Sequence, residues 1–224
     1  MAVTSVERVA RGREKIDSAA LDYLAAVHDI GPALAAAAEE IDRRRELPEA
    51  IVEALIERGL FRLLLPRSLA GAELLPALYI PIIEAIAAID ASTAWCINQN
   101  SGCSMTAALL APEIAREIFG GPRGILAWGP GPGEARVAPG GYRVTASWSF
   151  ASGSQHASWL GCHVPVIEAD GQPRLRADLL VLLHPHLLSR RPRQNSPHAQ
   201  ACGSCAGDAH AARRTRHPHL PLPG

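Results

Sequence analysis

The hydrophobic period of the chain changes once, close to residue 120, and this change restricts the fold more than any other feature of the sequence. Before it, apolar residues recur at the three- and four-residue spacing of amphipathic helices. After it, apolar and polar residues alternate, most clearly from Tyr142 to Phe150. The sequence therefore predicts an α+β fold in which a helical part comes first and a β part follows.

Capping residues, glycines and prolines divide the helical part into segments. Thr4 to Glu7 form a capping box, and Gly31-Pro32 predicts that one helix ends there and another begins. Pro48 predicts the start of the next helix, with Ile51, Val52, Leu55 and Ile56 on one face. Gly59 is expected to terminate that helix, because glycine adopts the left-handed conformation required after a helix C-cap.

Three further signals cover the rest of the helical part. Pro81 lies inside the apolar run 74–89, where it removes a backbone donor, so we expect a kink or a late helix start. Asp90 and Ser92 are candidate N-caps of a helix that runs through Trp95 to Leu110. Pro112 predicts one more short helix.

The β part is predicted from alternation and turn residues. Tyr142, Val144, Ala146, Trp148 and Phe150 share one face of a half-buried antiparallel strand, and the residues between them share the other. Further strands are expected at Ile125–Trp128, Ser158–Ile167 and Leu179–Leu183. Turns are expected at Pro139-Gly140-Gly141 and Asp170-Gly171.

The segment 184–224 differs in kind from the rest of the chain. It has no Ile, Val, Phe, Tyr or Trp, yet it holds six of the nine histidines, so it is predicted to be disordered. The predicted organisation is a helical domain at 1–120, an incomplete β domain at 121–183 and this tail. A frameshift in GC-rich DNA from about residues 178–184 onward is our hypothesis for its composition, and translation of the other two frames tests it.

Charge and cysteine content exclude several classes of protein. Residues 1–183 carry 16 basic and 21 acidic side chains, which argues against nucleic acid as a partner. No stretch has the ~18 uninterrupted apolar residues of a membrane span, and the N-terminus lacks the apolar region of a secretion signal. Five cysteines without framework spacing indicate reduced thiols in a cytoplasmic protein.

Two sequence motifs that could bind a metal ion or a phosphate are not assigned such a function. Cys202 and Cys205, followed by His210, His217 and His219, lack the helix and the core residues of a zinc finger, so no metal site is predicted. The glycine-rich Trp128-Gly133 has prolines where a phosphate cradle needs N–H donors, which favours a stiff loop after a strand.

Two polar clusters are interpreted from their local setting. Ser152, Ser154 and His156 lack a nucleophile elbow, so they are interpreted as turn residues rather than as a hydrolase site. Trp95 and the polar run Asn98-Gln99-Asn100 fit either a pocket lining or a loosely formed helix start, because asparagine is a poor helix former.

Several segments together resemble the acyl-CoA dehydrogenase superfamily across roughly residues 10–183. They are Glu57–Pro66, Ala70–Glu73, Ile83–Trp95, Ala111–Phe119, Gly140–Gly153 and His156–Trp159. The last two resemble most closely the branch of reduced-flavin monooxygenases that act on aromatic or heterocyclic substrates. The resemblance implies a helical N-terminal domain and a partial antiparallel β-barrel or sandwich domain. The family's C-terminal four-helix bundle is missing, so the chain is identified as a truncated form.

The resemblance also implies the site. A flavin would contact Trp128, Gly129, Phe150, Ala151, Ser152 and Gly153, and Trp95 and Asn98 would face the substrate. An aromatic ring can stack on the flat flavin while a hydroxyl and strand-end N–H groups bind its polar edge. No catalytic residue is assigned, because in the family that residue lies in the missing bundle.

The predicted function is that of a flavin-dependent oxidoreductase, nearest a reduced-flavin monooxygenase. FAD is the expected cofactor, with FMN or a reduced flavin supplied by a flavin reductase as alternatives, and the substrate is a small molecule. Two other functions stay open: α,β-desaturation of an acyl-CoA with FAD, and a non-catalytic fragment or scaffold. The family resemblance further implies a homotetramer.

Overall fold

A computed structural model describes residues 5–129, 132–139, 141–147, 150–174, 180–183 and 206–212. The first 120 residues form the helices α1 (Ser5–Arg44), α2 (Glu49–Glu57), α3 (Pro76–Ala87), α4 (Ala91–Ser104) and α5 (Pro112–Phe119), with short 3-10 helices at Arg67–Leu69 and Met105–Leu109. The described strands follow after residue 120, which confirms the predicted α+β order. The helices in the described part of the chain do not combine the length and apolar character that a membrane span requires.

The predicted helix break at Gly31-Pro32 is wrong, because α1 continues through both residues. A proline inside a helix removes one hydrogen bond and crowds the preceding turn. Gly31 has no side chain to add to that crowding, and a Cβ there would lie 3.3 Å from Cδ1 of Ile89. The buried residues Val27 and Leu34 pack α1 into the core on both sides of the proline. Tertiary packing therefore keeps the helix continuous.

The predicted signals at α2 and α5 are confirmed. Ile51, Val52, Leu55 and Ile56 are buried on one face of α2, and Gly59 has a φ of +68° directly after the C-cap. Pro112 is the first residue of α5. The late helix start considered at Pro81 is wrong, because α3 begins at Pro76 and continues through Pro81. The alternative, a kink at Pro81, stays a prediction.

Asp90 caps α4, as the sequence predicted. Its Oδ1 accepts hydrogen bonds from the backbone N–H of Thr93 at 2.6 Å and from the hydroxyl of Ser92 at 2.8 Å. The carboxylate thus satisfies one of the N–H groups that a helix leaves without an intrahelical partner.

We expect Asp90→Ala to lower the free energy of unfolding by about 1 kcal/mol, because the substitution removes the cap. Asp90→Asn is the matched control, since asparagine caps about as well as aspartate and should change stability by only a few tenths of a kcal/mol. Urea denaturation of the three proteins measures the difference. Equal stability of Asp90→Ala and the native chain would show that the cap contributes nothing.

Arg62 joins the connector between α2 and α3 to the end of α5. Its side chain is only 9% exposed, and its guanidinium donates to four backbone carbonyls, those of Leu69, Ala70, Phe119 and Gly121. Burial lowers the pKa of Arg62, and the nearby Tyr23 acts in the opposite direction. The arginine therefore fixes the path of the chain that brings α5 beside the first strand.

The described strands are β1 (Leu126–Trp128), β2 (Gly133–Ala138), β3 (Gly141–Ser147), β4 (Trp159–His163), β5 (Val166–Ile167), β6 (Leu180–Leu183) and β7 (Ala206–Ala212). They form one sheet in the order β1-β4-β6 and another in the order β5-β2-β3-β7. The pairs β1–β4 and β2–β5 are parallel and the others are antiparallel. The β part is therefore mixed, where the sequence predicted antiparallel pairing.

The predicted strand Ser158–Ile167 is wrong as a single element. The structure divides it into β4 and β5, which belong to different sheets. Pro165 lies between them and cannot donate to a strand ladder, while its carbonyl accepts from the N–H of Ala135 at 2.9 Å. The chain therefore leaves one sheet and enters the other at the proline.

The alternation of β3 is confirmed over the residues where it can be followed. Tyr142, Val144 and Ala146 are buried, and Arg143 and Thr145 are exposed. The expectation that Phe150 continues this buried face is wrong: β3 ends at Ser147, and Phe150 is 62% exposed with a φ of +55°. A left-handed residue turns the chain out of the strand direction. Trp148 lies outside the described residues.

The tail was predicted to be disordered, and one part of it departs from that prediction. Ala206–Ala212 forms β7, which pairs antiparallel with β3 from Ser147 to Tyr142. A strand ladder is built from backbone N–H and C=O groups, so it does not require an apolar period that the sequence would reveal. The rest of the tail, including Cys202, Cys205, His217 and His219, lies outside the described residues.

One core runs through both the helical and the β part. Its buried members come from α1 to α4 and from β1 to β5, and include Leu34, Leu55, Ile97, Val144 and Leu160. A second cluster joins Phe119, Cys103 and Leu126. The change near residue 120 is therefore a change of secondary structure across a shared core, and the predicted domain boundaries stay predictions.

Candidate functional site

Helix α4 packs against β1 and reaches the turn that follows β3, so it contacts both segments of the predicted cofactor site. The polar residues of α4 lie within a continuous helix, Ala91–Ser104. A loosely formed helix start was one of two interpretations of this polar cluster, and the continuous helix excludes it.

Trp95 and Ser152 are joined by a hydrogen bond. The indole Nε1–H of Trp95 donates to Oγ of Ser152 at 2.9 Å, although the two residues are 57 positions apart. Trp95 is 53% exposed, whereas Ser152 is buried. The indole therefore holds Oγ of Ser152 in a defined position.

Phe150 begins the turn in an unfavourable backbone conformation. A φ of +55° is rare for a bulky residue and costs on the order of 1–3 kcal/mol. Its ring is nevertheless exposed, while Ala151 and Ser152 directly behind it are buried. The backbone N–H of Ser152 donates to the carbonyl of Phe150 at 2.9 Å, which closes the turn tightly. Strain of this kind, with an exposed ring, is characteristic of binding sites.

Gly153 lies directly against the side chain of Asn100. A Cβ at Gly153 would be 2.3 Å from Oδ1 and 2.7 Å from Nδ2 of Asn100, and the glycine φ is +78°. Both the close approach and the left-handed backbone require glycine at this position. The turn is thus packed on α4 at backbone level.

His156 and Asn100 form a polar pair in which Asn100 is buried and His156 is partly exposed. Nε2 of His156 lies 2.9 Å from Oδ1 of Asn100, and Nδ2 of Asn100 donates to the carbonyl of Leu126 at 3.0 Å. The His156 ring also packs on Phe61, with 5.0 Å between ring centroids. Burial lowers the pKa of His156 to about 4, so the imidazole is neutral at neutral pH.

Trp128 is directed toward β4 rather than toward the turn. Its ring meets the edge of His163 at a centroid distance of 5.5 Å, and it packs partly buried on the second cluster beside Trp159. Gly129 follows it and is partly exposed. The assignment of Trp128 and Gly129 to a cofactor site therefore stays a prediction.

Asn98 is held within the helical part. Its Oδ1 accepts from the hydroxyl of Tyr79 on α3 at 2.9 Å. Burial raises the pKa of Tyr79 to about 12, so this phenol keeps its proton. The contact links α3 to α4, and a role of Asn98 toward a substrate stays a prediction.

Cys103 does not provide a nucleophile. Cys96 and Cys103 are both buried and neither forms a disulfide in the described part of the chain. Burial raises the pKa of Cys103 to about 12, and a protonated thiol is a poor nucleophile. Both cysteines are buried residues of α4.

The sequence did not identify the pair formed by Asn100 and His156. His156 was interpreted as a turn residue, and Asn100 was noted only as one member of a polar run. The signal that was available is the cost of asparagine inside a helix, which requires a compensating contact.

Comparison with known proteins identifies a matching family model and several similar proteins. Residues 25–116 match the family model of the acyl-CoA dehydrogenase N-terminal domain. The chain is 33% identical over 156 residues to the oxygenase subunit HsaA of a flavin-dependent monooxygenase from Mycobacterium tuberculosis, which covers 69% of this chain and 39% of that protein. It is 32% identical over 124 residues to an indole-3-acetate monooxygenase of Pseudomonas putida, with 54% and 32% covered.

Solved structures give the same result for the fold. XiaF from a Streptomyces species, solved with FADH2 and glycerol, superposes with a TM-score of 0.79 at 26% identity, covering 90% of this chain and 51% of that chain. The HsaA monooxygenase of Mycobacterium tuberculosis superposes with a TM-score of 0.75 at 27% identity, with 88% and 54% covered.

The chain therefore belongs to the acyl-CoA dehydrogenase superfamily, as the sequence motifs predicted. Within it, the relatives named here are monooxygenases. The chain spans about two fifths of the length of HsaA and about half of the solved chains.

Proposed function

We propose that this chain forms the helical and β parts of a flavin-dependent monooxygenase that acts on a small aromatic or heterocyclic substrate. The observation that carries the proposal is the hydrogen bond from Trp95 to Ser152 beside the exposed ring of Phe150. It brings together the Ser152 hydroxyl, the exposed Phe150 of the turn and the exposed Trp95 of α4, the helix that also contacts β1 through Asn100.

The residues of this turn fit a flavin by their chemistry. The isoalloxazine ring is flat, largely apolar and polar along its pyrimidine edge, so aromatic faces and a hydroxyl donor match it. Ser152 would bind the polar edge, and Phe150 would contact the ring. Gly129, which is partly exposed, leaves its backbone accessible because it carries no side chain.

When bound, a reduced flavin would supply the electrons that activate dioxygen. The chain's own residues bind and orient. The indole of Trp95 holds Oγ of Ser152 in place, and the neighbouring Ala151 is buried. A neutral polar group that is held in place can stabilise developing charge without reorganising.

The relatives support reduced FAD supplied by a second component. XiaF was solved with FADH2, and the chain is 31% identical over 132 residues to the oxygenase component of an FADH(2)-dependent resorcinol hydroxylase from a Rhizobium species. FMN is the alternative cofactor, and a flavin reductase is the proposed partner. Assembly as a homotetramer in the cytoplasm belongs to the same proposal.

We expect Ser152→Ala to weaken flavin binding about tenfold, because the loss of one hydrogen bond to a polar ring edge corresponds to about 1.4 kcal/mol. Absorbance titrations with FAD and FMN, oxidised and anaerobically reduced, measure the dissociation constants. Ser68→Ala is the matched control, since Ser68 is an exposed serine of the 3-10 helix Arg67–Leu69. A native chain that binds none of the four flavin forms contradicts the proposal, and so does Ser152→Ala binding as tightly as the native chain.

A second candidate function is α,β-desaturation of an acyl-CoA, and the match of residues 25–116 to the acyl-CoA dehydrogenase N-terminal domain favours it. The two activities differ in the reductant. Bleaching of bound flavin by an acyl-CoA without a reductase indicates desaturation, whereas oxygen consumption with reduced flavin indicates a monooxygenase. Flavin binding with neither response would support a scaffold.

A further inference from the structure

The polar pair between Asn100 and His156 lies beside the proposed flavin turn but does not belong to it. Asn100 is 1% exposed and donates to the carbonyl of Leu126 in β1. Its amide oxygen is hydrogen-bonded to His156, which lies three residues after Gly153, the last residue of the turn. One side chain of α4 therefore contacts both segments that would line the cofactor.

The hydrogen-bond network fixes the imidazole tautomer. The carbonyl of Leu126 can only accept, so the nitrogen of the Asn100 amide must face it and the amide oxygen must face His156. Nε2 of His156 therefore carries the proton and donates to Asn100. A leucine or methionine in place of His156 would fill the same space but would not impose this directional constraint.

The close contact at Gly153 converts this pair into a constraint on the turn. The amide of Asn100 occupies the space where a Cβ of Gly153 would lie. The preceding residue, Ser152, is held by Trp95, also on α4. Movement of the Asn100 amide would thus displace the backbone next to the Ser152 hydroxyl.

We propose that Asn100 and His156 are positioning residues, which lock the turn 150–153 and strand β1 onto α4 so that the Ser152 hydroxyl meets the flavin edge in one orientation. The effect on flavin binding rests on the proposed function, whereas the constraint on the turn is a property of the chain without flavin. Displacement of a positioned group by about 1 Å costs as much as a hundredfold in enzymes, so a constraint on this turn has functional weight.

The first test compares His156→Leu with His156→Gln in the full chain. The amide N–H of glutamine can take the place of Nε2 and donate to Asn100, whereas leucine keeps only the packing. We expect His156→Leu to raise the flavin dissociation constant about tenfold and His156→Gln to change it less than about threefold. If the two variants weaken binding equally, or neither does, the pair only packs.

A second measurement uses the native chain alone, without flavin and without any variant. In the native chain, ¹⁵N NMR of the imidazole reports which nitrogen carries the proton, and we expect it on Nε2. A proton on Nδ1 would overturn the inference.

Hydrogen exchange separates the failure of this inference from the failure of the proposed function. The Trp95 indole N–H, bound to Ser152, should exchange about tenfold faster in His156→Leu than in His156→Gln if the pair holds the turn. A native chain that binds no flavin, but shows the Nε2 proton and this exchange difference, would contradict the proposed function and support the positioning role. Equal exchange in both variants would overturn the positioning role whatever flavin does.

Discussion

Lowering the pH from 6.5 to 4 is expected to remove about 3 kcal/mol from the free energy of unfolding through His156 alone. Burial lowers the pKa of this histidine to about 4 in the folded chain, whereas an exposed histidine has a pKa near 6.5. Each unit of difference corresponds to about 1.4 kcal/mol. Protonation in place would also put a positive charge beside Phe61 and Asn100, where burial disfavours the charged form.

The sign follows from proton counting. Between pH 6.5 and pH 4 the unfolded chain binds a proton at His156 that the folded chain does not bind, so acid favours unfolding. The contribution is fully present above pH 6.5 and is lost as the pH falls toward 4. Above pH 7 this group gives no slope.

Urea denaturation at pH 4 to 7 measures the slope, and His156→Gln is the variant that removes it. Glutamine does not titrate, so the stability of this variant should vary less with pH by about 3 kcal/mol over the interval. His28→Gln is the matched control, because His28 lies exposed on α1. A native chain and a His156→Gln variant with the same slope would show that the imidazole is solvated in the folded state.

Local sequence signals predicted the elements whose causes are local. The N-cap at Asp90, the glycine terminator at Gly59 and the buried face of β3 each depend on residues within one turn or one strand. The break expected at Gly31-Pro32 failed because α1 is held by packing against α3 rather than by propensity. β7 escaped prediction for a related reason, since its partner is a backbone edge with no required side-chain pattern.

The candidate site shows the same difference between local sequence signals and long-range contacts. Family resemblance indicated Ser152 and Gly153, but their contacts to Trp95 and Asn100 join residues more than 50 positions apart. The pair between Asn100 and His156 is a long-range contact of two polar residues, for which a single sequence carries no periodic signal. Only the energetic cost of asparagine within α4 indicated that a compensating contact existed.

Arg62→Met is expected to lower the free energy of unfolding by about 3–5 kcal/mol, among the largest effects that a single side chain of this chain should produce. A hydrogen bond from a charged donor contributes about 1.5–3 kcal/mol, and four carbonyls accept from this guanidinium. The cost of burying the charge, which lowers its pKa, offsets part of that sum. Methionine fills the space but removes this donor from the carbonyls of Leu69, Ala70 and Phe119, and leaves that of Gly121 with the N–H of Gly124.

Two further variants separate the hydrogen bonds from the charge and from the general effect of losing an arginine. Arg62→Lys keeps the charge, but a single ammonium has no planar fork to reach carbonyls on both sides, so it should recover less than half of the loss. Arg58→Met removes a partly buried arginine that donates to one carbonyl, that of Ala54 at 3.1 Å, and should cost about 1 kcal/mol. If Arg62→Lys were as stable as the native chain, the positive charge near Tyr23 would be the stabilising feature, and the hydrogen bonds to the carbonyls would not. A cost for Arg62→Met no greater than that for Arg58→Met would show that the connector between α2 and α3 is held by its apolar contacts alone.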